Sequence, residues 1–310
     1  MARRKITVVG AGNVGAAAAH EAAVRDLGDV VLVDIIEGFA AGKALDMSQS
    51  AGVYPFAASV TGEVEWQTAA GSDVVIVTSG LARKPGMSRD DLLLKNAGII
   101  QSVCRQIVKQ CPDAFVIVVS NPLDAMVYVA AAATEFPKNR VMGMAGALDS
   151  ARFAFFISQE LGIDCADVAG VLMGGHGDDM VPLPRYTSVA GIPLTELMPA
   201  ERIAALIDRT RNGGIEIVNL LGYSAYYAPA AGAVKMAEAI LKDKKSVMSC
   251  CAWCDKEYDV GGSFVGVPVV LGAAGVERVV ELALTHDEKK ALTASVGHVK
   301  HLCARIDEML

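Results

Sequence analysis

The segment Ile6-Thr-Val-Val-Gly10-Ala-Gly12-Asn-Val-Gly15 decides the fold class of this 310-residue chain. Ile6 to Val9 is a short, β-branched apolar run, which predicts a buried strand. Three glycines follow, and an alanine-rich, helix-compatible stretch from Ala16 to Arg25 comes after them. A strand, a glycine turn and a helix in this order are typical of the first unit of a doubly wound α/β sheet.

The same strand pattern recurs along the first half of the chain. Valine-rich runs lie at Val30 to Val33, Val74 to Val77 and Val116 to Val119, and each is bounded by polar or turn residues. Helical stretches separate them, among them Asp90 to Cys111 and Leu123 to Ala133. Short apolar runs that alternate with helices indicate a parallel sheet buried on both faces. We therefore predict an α/β fold with a Rossmann-type, doubly wound parallel sheet over residues 1–147.

The second half has a different organisation. A helix is predicted from Ser150 to Leu161, followed by a β-rich middle and two long helical stretches. Thr285-His-Asp-Glu288 has the capping-box pattern that opens the last helix. Residues 148–310 are predicted to form a C-terminal α+β domain that binds substrate.

Composition excludes several classes of function. The net charge of -7 disfavours nucleic acid and anionic membranes as partners, because either would need a basic face. No charge-free run reaches the ~18 to 20 residues of a membrane span. Seven cysteines, an odd number, fit a reducing compartment, so a cytoplasmic location is expected. The basic start and apolar stretch also resemble a secretory signal, but the first glycines interrupt it.

The glycine turn has the context that a dinucleotide-binding fingerprint requires. Gly10 permits the tight turn, Gly12 lets the backbone approach a pyrophosphate, and Gly15 allows close helix-strand packing. Asp34 ends the next predicted strand, where its carboxylate would accept hydrogen bonds from ribose hydroxyls. That charge would repel a 2′-phosphate, which favours NAD over NADP. The alternative is a glycine turn that binds nothing.

A second segment points to acid-base chemistry. His176 lies among glycines in Gly170-Val-Leu-Met-Gly-Gly-His-Gly-Asp178, where an apolar run ends. Imidazole titrates near neutral pH, and small neighbours leave room for a substrate. Asp149 and Arg152 lie upstream, and Arg83 and Arg89 flank a Pro-Gly turn that suits a charged lid. Taken alone, the arginine loop also fits a solvated surface, but together these residues predict hydride transfer to or from an acid.

Six motifs occur in an order that resembles the lactate/malate dehydrogenase family, most closely its lactate-dehydrogenase-like bacterial malate enzymes. They are GAGNVG, LARKPGMSRDDLL, VVSNPLD, LDSARF, GGHGDDMVPL and SAYYAPA. The resemblance covers essentially the whole chain. Leu81-Ala82, Ser120 and Ala147 depart from the expected pattern, although none of them changes a catalytic residue.

The resemblance implies a role for each site residue. His176 would exchange the proton with the substrate oxygen, and Asp149 would hold its ring. Arg152 would bind the C1 carboxylate with two bonds, and Arg89 would polarise the carbonyl. Arg83 would bind a second carboxylate, which malate and oxaloacetate have and lactate lacks. The implied cofactor contacts are Gly10, Ala11, Gly12, Asn13, Val14, Gly15, Asp34, Asn96, Val119, Ser120 and Asn121, of which Asn121 also reaches the substrate.

The expected activity is therefore NAD-dependent oxidation of (S)-malate, with a place in the tricarboxylic acid cycle and a homodimeric or homotetrameric assembly. Three alternatives stay open. One is the same chemistry on a monocarboxylate such as lactate, and another is an NAD-binding protein without activity. The third is an NAD-dependent glycosidase with a metal bound by Cys and His. Cys250, Cys251 and Cys254 contain a CxxC spacing, but no second pair completes a zinc site, so packing is expected and no metal.

Overall fold

The computed structural model describes residues 3–81 and 89–309, and of Arg89 and Met309 it describes the main chain alone. Arg83 therefore lies outside the described residues. The described strands are β1 Lys5–Val9, β2 Asp29–Val33, β3 Val60–Glu63, β4 Val74–Val77, β5 Phe115–Val118, β6 Val141–Gly143, β7 Val168–Ala169, β8 Leu172–Gly174, β9 Met180–Pro182, β10 Ser188–Val189, β11 Ile192–Pro193, β12 Ser246–Cys254, β13 Ser263–Gly272 and β14 Gly275–Val279. The described α-helices are α1 Asn13–Val24, α2 Phe39–Gln49, α3 Arg89–Gln110, α4 Leu123–Thr134, α5 Gly146–Leu161, α6 Leu194–Leu197, α7 Ala200–Leu221, α8 Tyr227–Leu241 and α9 His286–Met309.

The first half forms the predicted doubly wound sheet. Its six strands pair in parallel in the order β3-β2-β1-β4-β5-β6. This order places the carboxyl ends of β1, β4 and β5 at one edge, where α/β proteins bind ligands. Two of the strands were not predicted. β3 has the sequence Val-Thr-Gly-Glu, which contains no apolar run because it is an edge strand with alternate residues exposed, and β6 has only three residues.

The sheet continues into the second half of the chain. β12 runs antiparallel to β6 and pairs with it through Cys251 opposite Gly143, and β13, β8 and β9 follow in that order. β7, β10 and β11 form a separate antiparallel sheet. This arrangement confirms the predicted α+β character of the C-terminal part. α5 begins at Gly146, four residues before its predicted start, so the boundary between 147 and 148 falls in its first turn and stays a prediction.

Helices cover both faces of the sheet. α1 and α8 pack together on one face, and α3, α4 and α9 lie on the other. α1 approaches β1 closely because residue 15 is glycine: a Cβ there would lie 1.8 Å from the carbonyl oxygen of Gly10. Among the described residues, no helix is long and apolar enough to cross a membrane.

Candidate active site

His176 and Asp149 form a hydrogen-bonded pair where the two halves of the chain meet. His176 follows β8, and its Nδ1 lies 2.9 Å from Oδ2 of Asp149 in the first turn of α5. Asp149 is 2% exposed. Because a carboxylate accepts, Nδ1 carries the hydrogen, and this leaves Nε2 as the ring atom free to exchange a proton.

The surroundings of His176 favour its protonated form. Burial opposes a charge on the imidazole, but the charge and hydrogen bond of Asp149, together with the charge of Asp124, outweigh it. The pKa of His176 is therefore raised above its ordinary value, although the charge of Arg152 acts in the opposite direction. An imidazole tuned in this way can donate a proton near neutral pH.

Arg152 lies one helical turn after Asp149 and is directed to the same site. Its guanidinium is 3.6 Å from Oδ1 of Asp149, and its side chain is largely buried. α7 makes room for it, because a Cβ on Gly213 would lie 2.3 Å from Cδ of Arg152. The result is a cation held against the acid-base pair. Arg89 opens α3, but its side chain is not described, and the predictions for it and for Arg83 stay predictions.

The glycine turn after β1 has the geometry of a phosphate-binding loop. Gly10 has φ +95°, a conformation that favours glycine, and Gly12 caps α1 without any side-chain hydrogen bond. A Cβ on Gly12 would meet no atom within 4 Å, so the space above the helix N-terminus is open. Asn13 and Val14 begin α1. Exposed N–H groups at this end attract anions, which fits the pyrophosphate of a dinucleotide.

Asp34, the residue after β2, stabilises the same turn by hydrogen bonding. Its Oδ2 accepts from the N–H of Ala11 at 2.7 Å, and its Oδ1 accepts from the N–H of Ile36 at 3.0 Å. A cavity of about 490 Å³ lies beside it, lined by Ile35–Gly38, Ala40, Ala41 and Gly62–Glu65. Asp34 itself does not line this cavity, whose lining begins at the next residue, Ile35. A carboxylate just after this strand suits a ribose with free hydroxyls.

The ends of β4 and β5 are tied together by Asn96 on α3. Its Nδ2 donates to the carbonyl of Asn121 at 2.7 Å, and its Oδ1 accepts from the N–H of Leu81 at 2.8 Å. Ser120 Oγ donates to the carbonyl of Ser79, and the Val119 N–H donates to the carbonyl of Val77. Asn96 thus holds the Asn121 segment in place, and its contact with a cofactor stays a prediction.

The cysteines of β12 do not converge on a common site. Cys250 and Cys254 belong to one face of the sheet and Cys251 to the other. Burial raises the pKa of the Cys250 and Cys254 thiols to about 12, so they stay protonated at neutral pH. Among residues 3–81 and 89–309, no group of three or more His, Cys, Asp or Glu side chains could hold a metal ion.

A Rossmann-type sheet with an open glycine turn after β1, and a buried acid-base pair formed by residues that follow β6 and β8, is the architecture of nucleotide-dependent dehydrogenases. Comparison with known proteins identifies the family. Residues 4–143 match the lactate/malate dehydrogenase NAD binding domain, and residues 146–309 match the lactate/malate dehydrogenase alpha/beta C-terminal domain. The chain belongs to the lactate/malate dehydrogenase family, as the motifs predicted.

Individual relatives extend over the whole chain. The malate dehydrogenase of Rhodopirellula baltica is 54% identical over 313 residues, which cover 100% of this chain and 99% of the relative. The malate dehydrogenase structure from Salinibacter ruber has a TM-score of 0.95 at 51% identity and covers 98% of each chain. The lactate dehydrogenase of Cryptosporidium parvum, solved with lactic acid and NAD, has a TM-score of 0.96 at 43% identity and covers 99% of each chain.

Two residues that the sequence analysis did not assign are part of this arrangement. Asp124 contacts the main chain of His176, and Gly213 accommodates Arg152. Asp124 stands in the VVSNPLD motif, so a carboxylate in the first turn of a helix beside Asn121 was a usable signal. The Gly213-Gly214 pair inside a long helix was a second usable signal. Glycine weakens helix interiors, so its presence there indicates a packing or functional requirement.

Proposed function

We propose that this protein catalyses the reversible, NAD-dependent oxidation of (S)-malate to oxaloacetate. The observation that supports this most strongly is the His176–Asp149 pair with Arg152 beside it, in a chain of the lactate/malate dehydrogenase family. Relatives of more than 50% identity are named malate dehydrogenases. An inactive binding protein would have no use for a tuned imidazole next to a buried guanidinium.

His176 moves the proton in this mechanism. During oxidation its Nε2 accepts the proton of the substrate hydroxyl, and during reduction it returns a proton to the carbonyl oxygen. Asp149 keeps the ring in one tautomer and stabilises the imidazolium that forms on oxidation. When bound, NAD supplies the acceptor for the hydride that leaves C2 of malate.

The arginines select and orient the substrate. Arg152 forms a two-bond contact with the C1 carboxylate, which a planar guanidinium makes better than an ammonium. Arg89 stabilises the charge that develops on the carbonyl oxygen. Arg83 pairs with the second carboxylate, because a buried carboxylate without a cation would be costly.

The chain's own residues fit NAD as the cofactor. The uncapped N-terminus of α1 and the open space over Gly12 suit its pyrophosphate, and Asp34 suits the ribose hydroxyls. The remaining proposed contacts are Gly10, Ala11, Asn13, Val14, Gly15, Asn96, Val119, Ser120 and Asn121.

The test is an absorbance assay of NADH oxidation with oxaloacetate and pyruvate in parallel, on wild type, Arg83→Gln and Lys84→Gln. Charge complementarity should favour oxaloacetate by about 10³-fold or more in kcat/KM. Arg83→Gln should erode that preference, whereas Lys84→Gln removes a charge from the same segment and should leave it.

The other outcomes separate the alternatives. A wild-type preference for pyruvate would show a lactate-type enzyme with the same mechanism. No turnover of either acid, despite NADH binding, would indicate a binding protein. Oxaloacetate reduction that stays intact in the presence of a chelator would remove the metal-dependent glycosidase alternative.

We further propose a cytoplasmic homodimer or homotetramer that acts in the tricarboxylic acid cycle. The described cysteines are free, which fits a reducing compartment. Apolar side chains at the end of α7 and the start of α8 are exposed, among them Leu220 at 79% and Tyr227 at 73%. Exposed apolar patches mark interaction surfaces. Light scattering coupled to size exclusion would show a monomer if this proposal is wrong.

A further inference from the structure

We propose that Asp124 is a positioning residue for His176, an inference that rests on the proposed oxidoreductase function. Asp124 fixes the main chain of His176 and supplies a second negative charge near the imidazole. Its Oδ2 accepts a hydrogen bond from the N–H of His176 at 3.0 Å. Asp149 holds the ring of the same residue. Two carboxylates from two helices therefore hold one histidine, one at its main chain and one at its side chain.

Asp124 is a buried acid whose position needs an explanation. It is 6% exposed and stands in the first turn of α4, where the helix dipole favours a negative charge. Oδ1 makes no hydrogen bond with any described atom. Burying a carboxylate costs free energy unless it is compensated, so a role in core packing alone would be served better by an apolar side chain.

The loop that carries His176 is fixed at two consecutive amides. The N–H of Gly175 donates to Oγ of Ser295 on α9 at 2.7 Å, and the N–H of His176 donates to Asp124. A Cβ on Gly175 would lie 3.4 Å from Oδ2 of Asp124, an ordinary van der Waals distance, so the carboxylate lies directly beside this part of the main chain. Asp124 also follows Asn121 by three residues and so couples the substrate-binding segment to the catalytic loop.

The groups around the pair determine the sign of the charge effect. His176 faces Asp149 and Arg152 on α5 as well as Asp124 on α4. Burial raises the pKa of Asp124, whereas the hydrogen bond from the His176 N–H, the Cys251 thiol on β12 and the charge of His176 act to lower it. The charge of Asp124 also reaches Cys303 on α9. The thiols are neutral, because burial raises their pKa, and the imidazolium is therefore the one positive group among these neighbours of Asp124.

The test replaces the carboxylate by its near-isostere in Asp124→Asn, in the full-length protein. The amide oxygen still accepts from the His176 N–H, but the charge is gone. Without that charge the proton is held less tightly, so the basic limb of kcat/KM for oxaloacetate reduction should move down by about half a pH unit or more. We expect kcat to fall about tenfold with a smaller change in KM.

Two controls separate charge from geometry. Ser295→Ala frees the adjacent Gly175 amide without removing a charge, and it should lower kcat without moving the pH profile. Asp124→Ser removes the same charge with a smaller side chain, and it replaces Asp124→Asn if that variant does not give wild-type far-ultraviolet circular dichroism.

A direct titration makes the result independent of turnover. The imidazole of His176, assigned as the NMR signal absent from His176→Asn, should titrate at lower pH in Asp124→Asn than in wild type. Coincident titrations and pH profiles would overturn the proposal, as would an equal shift in Ser295→Ala. If the His176 titration shifts in Asp124→Asn but wild type turns over neither acid, the proposed function fails while the positioning role of Asp124 stands.

Discussion

The environment of His176 sets the pH range in which the site can catalyse each direction of the reaction. Its pKa is raised because the charge and hydrogen bond of Asp149, aided by Asp124, outweigh the cost of burial. Reduction requires the protonated ring and oxidation the neutral one. Deprotonation of His176 should therefore limit the rate of reduction above its raised pKa, and protonation of His176 should limit the rate of oxidation below it.

The rates of the two directions should depend on pH in opposite ways. Oxaloacetate reduction should be fully active below the raised pKa of His176 and fall as pH rises through it, whereas malate oxidation should rise over the same interval. Asp149→Asn should move both transitions to lower pH, because the main stabilising charge is lost. Profiles of kcat/KM in both directions measure this. His298, exposed and hydrogen-bonded to Asp179, provides the control: His298→Asn should leave both profiles unchanged.

Loss of the His176 imidazole should remove most of the catalysis. His176→Asn should lower kcat about 10² to 10⁴-fold, the usual contribution of general acid-base catalysis. NADH binding, followed by fluorescence, should be retained, because His176 lies outside the glycine turn. Wild-type turnover in this variant would assign proton transfer to another group.

At the level of elements, α7 links helix composition to substrate binding. Gly213 and Gly214 lie within a 22-residue helix, where glycine costs about 1 kcal/mol relative to alanine. At Gly213 this cost has a structural reason, since Arg152 occupies the space of the missing side chain. At Gly214 an added Cβ would meet no atom within 4 Å, so the neighbouring residue is a matched control.

Alanine substitutions at the pair should therefore differ. Gly213→Ala should fold, because the displaced atoms belong to a flexible side chain, but Arg152 must move from its position. We expect KM for oxaloacetate to rise about tenfold, since a charge-assisted contact contributes roughly 1.5 kcal/mol or more. Gly214→Ala should leave KM unchanged and gain up to about 1 kcal/mol in unfolding free energy. Equal KM values in the two variants would contradict the role of Gly213.

Across the whole molecule, a buried carboxylate joins the two halves of the chain. Glu238 on α8 is 5% exposed and pairs with Arg25, which follows α1, and with Lys242 and Lys244. Burial alone would raise the pKa of Glu238, but the hydrogen bonds and charges of these cations lower it below its ordinary value. The contact thus ties the NAD-binding segment to the C-terminal segment.

Glu238→Gln should destabilise the folded chain by about 1 to 3 kcal/mol at pH 7, less than a fully buried pair because its partners are partly exposed. A lowered folded pKa contributes stability above the unfolded value near 4.3 and loses it as pH falls through the folded value. The difference between wild type and variant should therefore shrink in acid. Urea unfolding of wild type and variant, at pH 7 and at a pH below the folded pKa of Glu238, measures this difference. As a control, Glu216→Gln, in an exposed pair with Arg209, should cost at most about 0.5 kcal/mol of unfolding free energy.

The sequence by itself determined the parts that depend on short segments. The β1 glycine turn, the valine-rich strands and the order of the six motifs predicted the doubly wound sheet, NAD and the family. Asp149 and Arg152, three residues apart, were assigned through one short motif, LDSARF, although the predicted helix began only at Ser150. Each signal lies within a few turns of chain, where periodicity and local conformation are set by neighbouring residues.

Only the tertiary structure decided which distant residues meet. The pairing of Cys251 with Gly143 that continues the sheet, the contact of Asp124 with His176 and the accommodation of Arg152 by Gly213 join segments that are far apart in sequence. β3 and β6 were missed because an edge strand and a three-residue strand carry too little apolar pattern. Such contacts depend on close packing between elements, which a single sequence does not display because periodicity identifies a buried face but not the residue that covers it.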